Sequence, residues 1–401
     1  MSAPEAAAST SEAAASTTVA AASTTASLQE AIAEAEQLIA NPPFEVNAQE
    51  LAEGYDYLAG SIRSSLQMAF DYDLEHPVLI NPTHQYARQG LDNPDAIYFN
   101  AYLADGASYV VSGRRGTTTD LSFQVMDGGY TETGHPKTLA AFDDRELEVA
   151  EDGTFEWRFG PELGIRKGST LIIREVYDDW NTEERGTIRI QRLDTAGQPR
   201  GAFSQDRVAK RYGVAAKMLV GRVKTWFAFP EWFTYKEPVN TLTVPKSTPG
   251  GLASQFSSIG HYSLGEDEAM VVRVPVCADA PYQAIQVGSK WYVSTDYEHH
   301  QTSLTAAQSV ADRGFFTYVI SERDPGLANW LETTGHDKGV MMLRWQRLAR
   351  DLTAEDGPQV EVVSFDSLAQ RADLDHQRVT PQEYADRIEA RQVGIARRMI
   401  S

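Results

Sequence analysis

Residues 155–192 read Phe155-Glu-Trp-Arg-Phe159, then Thr170-Leu-Ile-Ile-Arg-Glu-Val176, then Thr187-Ile-Arg-Ile-Gln-Arg192. The three segments are short and rich in β-branched and aromatic residues, which is typical of β-strands. Turn-rich stretches separate them, and no helical period of three or four residues intervenes. A doubly wound parallel sheet needs helices between its strands, whereas strands joined by turns pair antiparallel. The sequence therefore predicts an antiparallel β-sandwich.

The strand pattern occurs in two separate parts of the chain. It fills residues 76–200 and returns in residues 251–350, where several short strands at near-regular spacing favour a jelly roll. We predict a mainly β fold with flanking helices (α+β), made of two antiparallel β-sandwich or jelly-roll-like domains. The other predicted segments are an Ala/Ser/Thr-rich disordered arm (1–27), a helical N-terminal segment (28–75), a basic helix with an aromatic connector (201–250), and a linker with a closing helix (351–401).

The charge of the chain argues against two classes of partner. Its formal net charge is −20 and its pI is near 4.8. Nucleic acids and anionic lipids both attract proteins through basic surfaces. No stretch approaches the roughly 18 consecutive apolar residues that span a bilayer. We predict no nucleic-acid partner, no membrane span and, by default, a cytoplasmic location.

A loop-like stretch after the helical segment contains the first candidate catalytic residues. His84 precedes Asp92-Asn-Pro-Asp95 and Tyr98. Acid–base groups commonly lie in loops on a rigid scaffold, and histidine titrates near neutral pH. His84 is a candidate to move a proton, Asp92 or Asp95 to orient it, and Tyr98 to stabilise developing negative charge. The alternative is an Asx-type turn at Asp92–Asp95 with His84 as an ordinary loop residue.

His300 is the second candidate for proton transfer, and Asp324 is the candidate to orient it. Alternate residues of a strand share a face, so His300 would lie with Asp296 and Glu298. Imidazole and carboxylate together suit zinc or iron. No second histidine lies at a spacing typical of a ligand pair, however, so we predict no metal site and no cofactor. Because Asp324 precedes Pro and Gly, a plain turn is its alternative role.

Arg174 and Arg344 occur inside apolar strand segments. A guanidinium there needs a partner, because an unpaired buried charge is costly. Pairing with Asp178, Asp179 or Asp324 would make both arginines structural. An empty site beside them would make them a clamp for an anion or a carbonyl group. In that case Arg174 is a catalytic candidate that stabilises developing negative charge with Tyr98, and Arg344 is a candidate to bind substrate.

Four side chains are candidates to hold an apolar substrate. Trp226 and Trp232 belong to an aromatic cluster, and Asn329 and Trp330 could hydrogen-bond to a ligand and stack on it. The cluster could instead seal a domain junction, and Trp330 could plug the end of a sandwich. The basic helix at 205–225 either faces an anion or presents a solvated face that pairs with the protein's own carboxylates.

The segment Asp324-Pro-Gly-Leu-Ala-Asn-Trp-Leu331, with Thr334-Gly335 and Arg344, resembles the bacterial domain of unknown function twelve-fourteen in its long actinobacterial form. The resemblance extends from about Leu51 to Arg397. It implies an all-β, jelly-roll-like C-terminal domain and a genetic setting in the catabolism of steroids or other hydrophobic compounds. No established mechanism comes with the family.

Two functional hypotheses follow from these features. The first is a cofactor-independent lyase, hydratase or hydrolase that uses general acid–base chemistry on a hydrophobic, steroid-like or aromatic small molecule. The second is a non-catalytic protein that binds a sterol, lipid or glycan, or serves as an accessory subunit to a neighbouring enzyme. A homodimer is the other expected assembly. Geometry separates them, because an enzyme requires the His84–Tyr98 loop and the His300 and Asp324 region to converge on one cavity.

Overall fold

A computed structural model describes residues 24–71, 73–248, 250–252 and 255–399. The fold is mainly antiparallel β with a few helices, as the sequence predicts. Within these residues no helix combines the length and apolar character that a membrane span requires. The α-helices are Ala26–Ala40 (α1), Ala48–Asp71 (α2), Gln205–Phe233 (α3) and Pro381–Met399 (α4), and short 3-10 helices occur at Asp144–Glu146, Pro161–Leu163, Ala354–Asp356, Phe365–Gln370 and Ala372–Gln377.

Side-chain caps fix the starts of two helices. The Asn47 Oδ1 atom accepts from the Glu50 N–H at 2.9 Å, and Glu50 Oε2 accepts from the Asn47 N–H at 2.8 Å. This reciprocal pair satisfies N–H groups that the first turn of α2 leaves free. Thr380 and Glu383 form the same arrangement before α4. Helices α1, α2 and α3 then pack around a shared core that also contains Trp291 from the second β unit.

The first β unit is a sandwich of two antiparallel sheets. Sheet I has the strand order β1-β6-β3-β4, and sheet II has the order β5-β2-β7. Tyr109, Phe123 and Leu171 belong to the core between them, and none of the three is exposed. The strands are Ala96–Tyr102 (β1), Tyr109–Arg114 (β2), Asp120–Asp127 (β3), Lys137–Asp143 (β4), Thr154–Phe159 (β5), Ser169–Val176 (β6) and Thr187–Arg192 (β7).

The second β unit also consists of two sheets. Sheet III has the order β13-β12-β17-β10-β8, with β9 beside β10, and sheet IV has the order β14-β15-β11-β18, with β16 beside β15. Met270, Tyr318 and Trp345 lie in the core of this unit. The strands are Thr241–Leu242 (β8), Lys246–Ser247 (β9), Gln255–Ser263 (β10), Glu268–Pro275 (β11), Tyr282–Gly288 (β12), Ser303–Thr305 (β13), Ala311–Asp312 (β14), Phe315–Ser321 (β15), Trp330–Glu332 (β16), Lys338–Gln346 (β17) and Gln359–Ser364 (β18).

The second β unit is longer than the predicted range 251–350. Strands β8 and β9 precede that range, and β18 follows it and pairs with β11. Part of the segment predicted as a linker is therefore a sheet edge. The hydrophobic pattern of the sequence did not predict β18, because the residues of this strand alternate between exposed and half-buried. Residues 1–23 of the predicted disordered arm lie outside the described residues, and α1 already begins at Ala26.

Helix α4 joins the two β units. Its Arg391 donates to the backbone oxygen atoms of Tyr297 and Ser303, at 3.0 and 2.9 Å. Its Arg398 donates to Pro94 O at 3.0 Å and lies over the ring of Trp180, 4.4 Å from the centroid. The chain end thus holds the first unit against the second.

Candidate functional site

A cavity of about 750 Å³ separates the two β units, and we call it the inter-domain cavity. One wall is the face of sheet I that points away from the core of the first unit. Leu171 and Ile173 of β6 lie in that core, so the alternate residues Ile172 and Arg174 face the other way. The side chains of sheet I that line the cavity are those of Ala96, Tyr98, Asn100, Tyr102, Met126, Thr170, Ile172, Arg174 and Val176.

The opposite wall is a face of sheet III. Leu343 and Trp345 of β17 lie in the core of the second unit. The residues that alternate with them, Met342, Arg344 and Gln346, line the cavity. The cavity therefore lies between the second faces of two sheets whose first faces form the two hydrophobic cores.

Helix α3 closes the cavity with Met218, Arg222 and Trp226. The indole of Trp226 is nearly buried and lies against the backbone of Gly90. Gly90 has φ +65, and a Cβ atom there would come within 2.5 Å of the indole ring. Glycine is required at this position, because any side chain would be strained and would push the tryptophan wall away.

Arg174 lines the cavity and has no carboxylate of the described residues within ion-pairing distance. Its Nη1 atom donates to Gln124 Oε1 at 3.0 Å, and its guanidinium lies 5.9 Å from the centroid of the Tyr98 ring. Burial lowers the pKa of the Arg174 guanidinium. The predicted structural pairing with an aspartate is wrong for this residue, since its acceptor is a neutral amide oxygen.

Arg344 and Arg222 are also held by neutral acceptors. Arg344 donates to the side-chain oxygen of Gln286 and, at 2.7 Å, to Leu91 O. Arg222 donates to Ala87 O at 3.1 Å and to the carbonyl oxygen of the next residue. Burial lowers the pKa of Arg222. Both guanidinium groups are thereby fixed in direction while their positive charge stays uncompensated by an ion pair.

Tyr98 and Asp92 are the other predicted catalytic residues at this cavity. The Tyr98 hydroxyl accepts from the Asn93 N–H at 2.9 Å, and burial raises its pKa. The Asp92 carboxylate accepts from the N–H and the hydroxyl of Ser294, at 3.1 and 2.8 Å. Burial also raises the pKa of Asp92, although Arg88 lowers it in part.

Asp95 lies outside the lining of the cavity, and its contacts are structural. One oxygen accepts from Trp180 Nε1 at 2.9 Å, and the other accepts from the Tyr282 hydroxyl at 2.7 Å. Tyr282 belongs to the second unit, whereas Trp180 follows the last strand of sheet I. The carboxylate thus links the two units, and burial raises its pKa.

His300 lines a different cavity of about 680 Å³, which we call the His300 cavity. Its Nδ1 atom lies 2.8 Å from Glu332 Oε2, and the side chain is 42% exposed. Glu53 lines the same cavity and accepts from His336 Nε2 at 2.7 Å. Among the residues that the structure describes, no group of three or more His, Cys, Asp or Glu side chains is arranged to hold a metal ion.

The loop that contains His84 runs between the two cavities. Thr83 and Gln89 line the inter-domain cavity, and Gln85 and Arg88 line the His300 cavity. His84 itself lines neither of them; its Nδ1 atom accepts from the N–H two residues later at 3.2 Å. Burial, with the nearby positive charge of Arg63, lowers the pKa of His84. The predicted histidines therefore do not converge on one site.

Four other residues that the sequence suggests as site residues lie away from both cavities. Asp324 is exposed and accepts from the Gly326 N–H at 2.7 Å, as expected of a turn residue. Asn329 is fully buried and exchanges hydrogen bonds with the backbone of Val310, at 2.8 and 2.7 Å. Trp330 donates to a strand carbonyl, Ser321 O, at 3.0 Å. Trp232 donates to Glu132 O at 3.2 Å, so the contacts favour the structural alternative for each.

Sequence reasoning missed several residues of the inter-domain cavity. Arg222 was considered only as part of a basic helix, and Met342 and Gln346 were not considered. One signal was available in residues 170–176, because a strand that is apolar on both faces is covered on both faces. That signal predicts a second contact surface on sheet I, although it does not say which part of the chain covers it.

Comparisons with known proteins agree with the fold. The structure is similar to the crystal structure of an uncharacterised protein from Burkholderia cenocepacia, with a TM-score of 0.75 and 28% sequence identity over 86% of this chain and 97% of that one. A crystal structure of a Vibrio parahaemolyticus protein aligns with a TM-score of 0.42 and 12% identity over 77% of this chain and 98% of the other. No protein-family model and no curated protein sequence matches the chain. Function must therefore be argued from the site.

Proposed function

We propose that the protein binds a hydrophobic small molecule in the inter-domain cavity. The observation that carries this proposal is a cavity of about 750 Å³ between two sheets, with Ile172, Met342 and Trp226 among its walls. Ligand sites are typically concave, largely apolar and roughly 300–1,000 Å³ in volume. The steroid-like or aromatic class that the family resemblance implies falls within this range of sizes.

The separation of the candidate histidines favours binding over acid–base catalysis. His300 and Arg174 line different cavities, and His84 lines neither. General acid–base catalysis needs its groups within about 3 Å of the same substrate, or one water molecule away. We also propose that the chain is a member of the bacterial domain of unknown function twelve-fourteen and acts in the catabolism of hydrophobic compounds.

A neutral hydrophobic dye tests the proposal directly. We expect Nile red to bind the wild-type protein and Ile172→Trp to weaken its binding by roughly 10-fold or more, because the indole would occupy the cavity. Val362→Trp is the matched control, since Val362 is 37% exposed on another sheet. Both variants are checked by circular dichroism and urea unfolding. Equal dye affinity of the folded Ile172→Trp protein and the wild type would contradict the proposal.

A lyase, hydratase or hydrolase is the second candidate, and Asp92 is the observation that favours it. Asp92 lines the same cavity as Tyr98, and burial raises its pKa. A carboxyl group that keeps its proton closer to neutral pH can act as a general acid. The test is to incubate wild-type and Asp92→Asn protein with an extract of cells grown on sterols or other hydrophobic carbon sources. A new product with the wild type alone supports the enzyme; a metabolite that is depleted and then recovered on denaturation supports the binding protein.

A further inference from the structure

We infer that the ligand of the inter-domain cavity is a hydrophobic carboxylate, whose head group is held by Arg174 and Arg344 and whose apolar body lies along Ile172, Met342 and Trp226. This inference rests on the proposed function and adds the chemical class of the ligand. In this arrangement sheet I and sheet III each contribute one arginine to the head group and one apolar side chain to the body of the ligand.

The main support is an excess of positive charge without carboxylate partners. Some arginines of this protein pair with an acid, as Arg115 does with Asp144 at 2.7 Å, whereas others, such as the buried Arg391, donate only to neutral oxygen atoms of the described residues. Arg174, Arg222 and Arg344 differ from Arg391 in that all three line one cavity. Within the described part of the chain, Arg174, Arg222 and Arg344 contact only neutral oxygen atoms. Buried charges are normally paired, so an anion from outside the chain would complete this site.

The two arginines also have the hydrogen-bonding capacity for a carboxylate. A guanidinium carries five N–H donors in a planar fork. Arg174 has one protein acceptor, Gln124, and Arg344 has two, Gln286 and Leu91, among the described residues. The remaining donors suit the two oxygen atoms of a carboxylate, which arginine binds in a bidentate geometry.

The carboxyl groups near these arginines offset only part of their charge. Asp92 and Glu132 line the cavity with the three arginines, and burial raises the pKa of Asp92, although Arg88, Ser294 and Arg344 lower it in part. Asp120 interacts with Arg174 through space, but burial raises its pKa to about 7, so its charge is partial near neutral pH. The described lining therefore holds three arginines and two carboxyl groups, an excess of one positive charge that favours an anionic ligand.

The composition of the walls favours a carboxylate over a phosphate. Arginine binds phosphate and carboxylate alike, so the arginines alone do not separate the two. The described lining contains no lysine and includes α3 by its middle turns, so it lacks the lysine and the helix N-terminus that many phosphate sites add. Apolar side chains such as Ile172 and Met342 begin two residues from the arginines, which matches a monoanion attached directly to an apolar body.

Competition among three ten-carbon probes tests the inference. Decanoate, decanol and decyltrimethylammonium share a chain and differ in head-group charge; each displaces Nile red at concentrations below its micelle threshold. We expect decanoate to bind roughly 10- to 100-fold more tightly than decanol, the range for charge-assisted hydrogen bonds. We expect the ammonium probe to bind most weakly. Decyl phosphate is the fourth probe, and its tighter binding than decanoate would overturn the carboxylate assignment.

Arginine variants then show which side chains bind the head group of the ligand. Arg174→Gln should lower the affinity for decanoate far more than the affinity for decanol, so that the ratio of the two falls toward one, and Arg174→Lys should restore part of the ratio. Arg158→Gln is the matched control, because the Arg158 side chain is 61% exposed on sheet II. Arg344→Gln is a second variant with the same expected loss, for use where it folds like the wild type.

The outcomes separate the inference from the proposed function. Equal binding of decanoate and decanol to the wild type, or an unchanged ratio in Arg174→Gln, would overturn the carboxylate and leave the apolar site standing. Failure of every probe to displace Nile red, or of Nile red to bind, would overturn the proposed function and this inference with it.

Discussion

The inter-domain cavity and the His300 cavity are similar in volume, about 750 and 680 Å³, but differ in their treatment of charge. At the His300 cavity the imidazole of His300 lies 2.8 Å from the Glu332 carboxylate, and one arginine, Arg88, donates to the backbone oxygen atoms of Gln85 and Ser294. At the inter-domain cavity three arginines, Arg174, Arg222 and Arg344, donate only to neutral oxygen atoms of the described residues. The two cavities therefore differ in the number of arginines without an ion pair among the described residues, and the histidine that suggests chemistry in the sequence lies beside a carboxylate.

On the proposed function, several arginines without ion pairs indicate the binding cavity better than the presence of a histidine does. A paired carboxylate and imidazole compensate each other, so a ligand gains little by approaching them. An arginine held by carbonyl groups keeps its charge and part of its hydrogen-bonding capacity. The predictions below test this difference by changing matched residues in the two parts of the molecule.

The largest expected effect comes from two tryptophans with different surroundings. Trp226→Ala and Trp330→Ala each remove a large buried side chain, so we expect each to lower the free energy of unfolding by about 3–5 kcal/mol. Only Trp226 lines the inter-domain cavity, so only Trp226→Ala should weaken Nile red binding by the folded protein. Urea unfolding and dye titration at the same temperature measure the two effects. Equal loss of dye affinity in both variants would contradict the assignment of the wall.

The hydrogen bond between His336 and Glu53 predicts that the stability of the protein depends on pH. Burial alone would lower the pKa of His336, but its hydrogen bond to Glu53 raises it above the ordinary value. The same contact lowers the pKa of Glu53, although burial opposes it. The contribution of His336 is complete below about pH 6.5 and is lost as pH rises through its folded pKa. The contribution of Glu53 is complete above about pH 4.5 and is lost as pH falls through its folded pKa.

We therefore expect the contact to stabilise the protein most between about pH 4.5 and 6.5. Urea midpoints measured from pH 4 to 9 should decrease less on the alkaline side in His336→Gln than in the wild type. The difference at the optimum should be roughly 1–3 kcal/mol, as for a hydrogen bond to a charged group. His299→Gln is the control, since His299 is 55% exposed. Parallel curves for the wild type and His336→Gln would exclude this origin of the pH dependence.

A smaller effect is expected from Asp92, the buried carboxylate at the inter-domain cavity. Asp92→Asn removes negative charge beside the arginines and keeps an oxygen that can accept from Ser294. We expect it to raise the affinity for decanoate about threefold and leave the affinity for decanol unchanged, since only the charged probe feels the altered field. Asp324→Asn is the control on an exposed turn. A lower decanoate affinity in Asp92→Asn would show that Asp92 positions the ligand by contact.

The smallest effect is expected from His300, the residue that first suggests catalysis. His300→Gln removes a contact with Glu332 whose histidine side chain is 42% exposed, so we expect a stability change below about 1 kcal/mol. Binding of Nile red and of decanoate should remain as in the wild type. A clear fall in ligand affinity or in product formation would show that the His300 cavity takes part in function.

The fold class was predictable because it depends on patterns of neighbouring residues along the chain. Residues 170–176 keep their strand character wherever they pack, and the turns around them exclude parallel crossovers. Caps such as the one at Thr380 and Glu383 involve residues three positions apart, so they too can be found by inspection. Strand β18 was not predicted, because the residues of a half-exposed edge strand alternate only weakly between apolar and polar.

The candidate site was less predictable because its parts come from distant segments. Tyr98, Arg174 and Arg344 were identified one by one as polar residues in apolar or loop settings, and the structure brings them to one cavity. His84 was grouped with them because it is close in sequence, yet the loop turns its side chain away from that cavity. Arg222 lies on a helix where a charged residue is normally solvated, and only tertiary packing places it in the wall.

The decisive measurement is a crystal structure of the protein grown with decanoate. We expect the carboxylate within hydrogen-bonding distance of Arg174 and Arg344, with its chain along Ile172 and Met342. Decanoate in the His300 cavity, or in the inter-domain cavity with its carboxylate turned away from both arginines, would overturn the assignment of the head-group site.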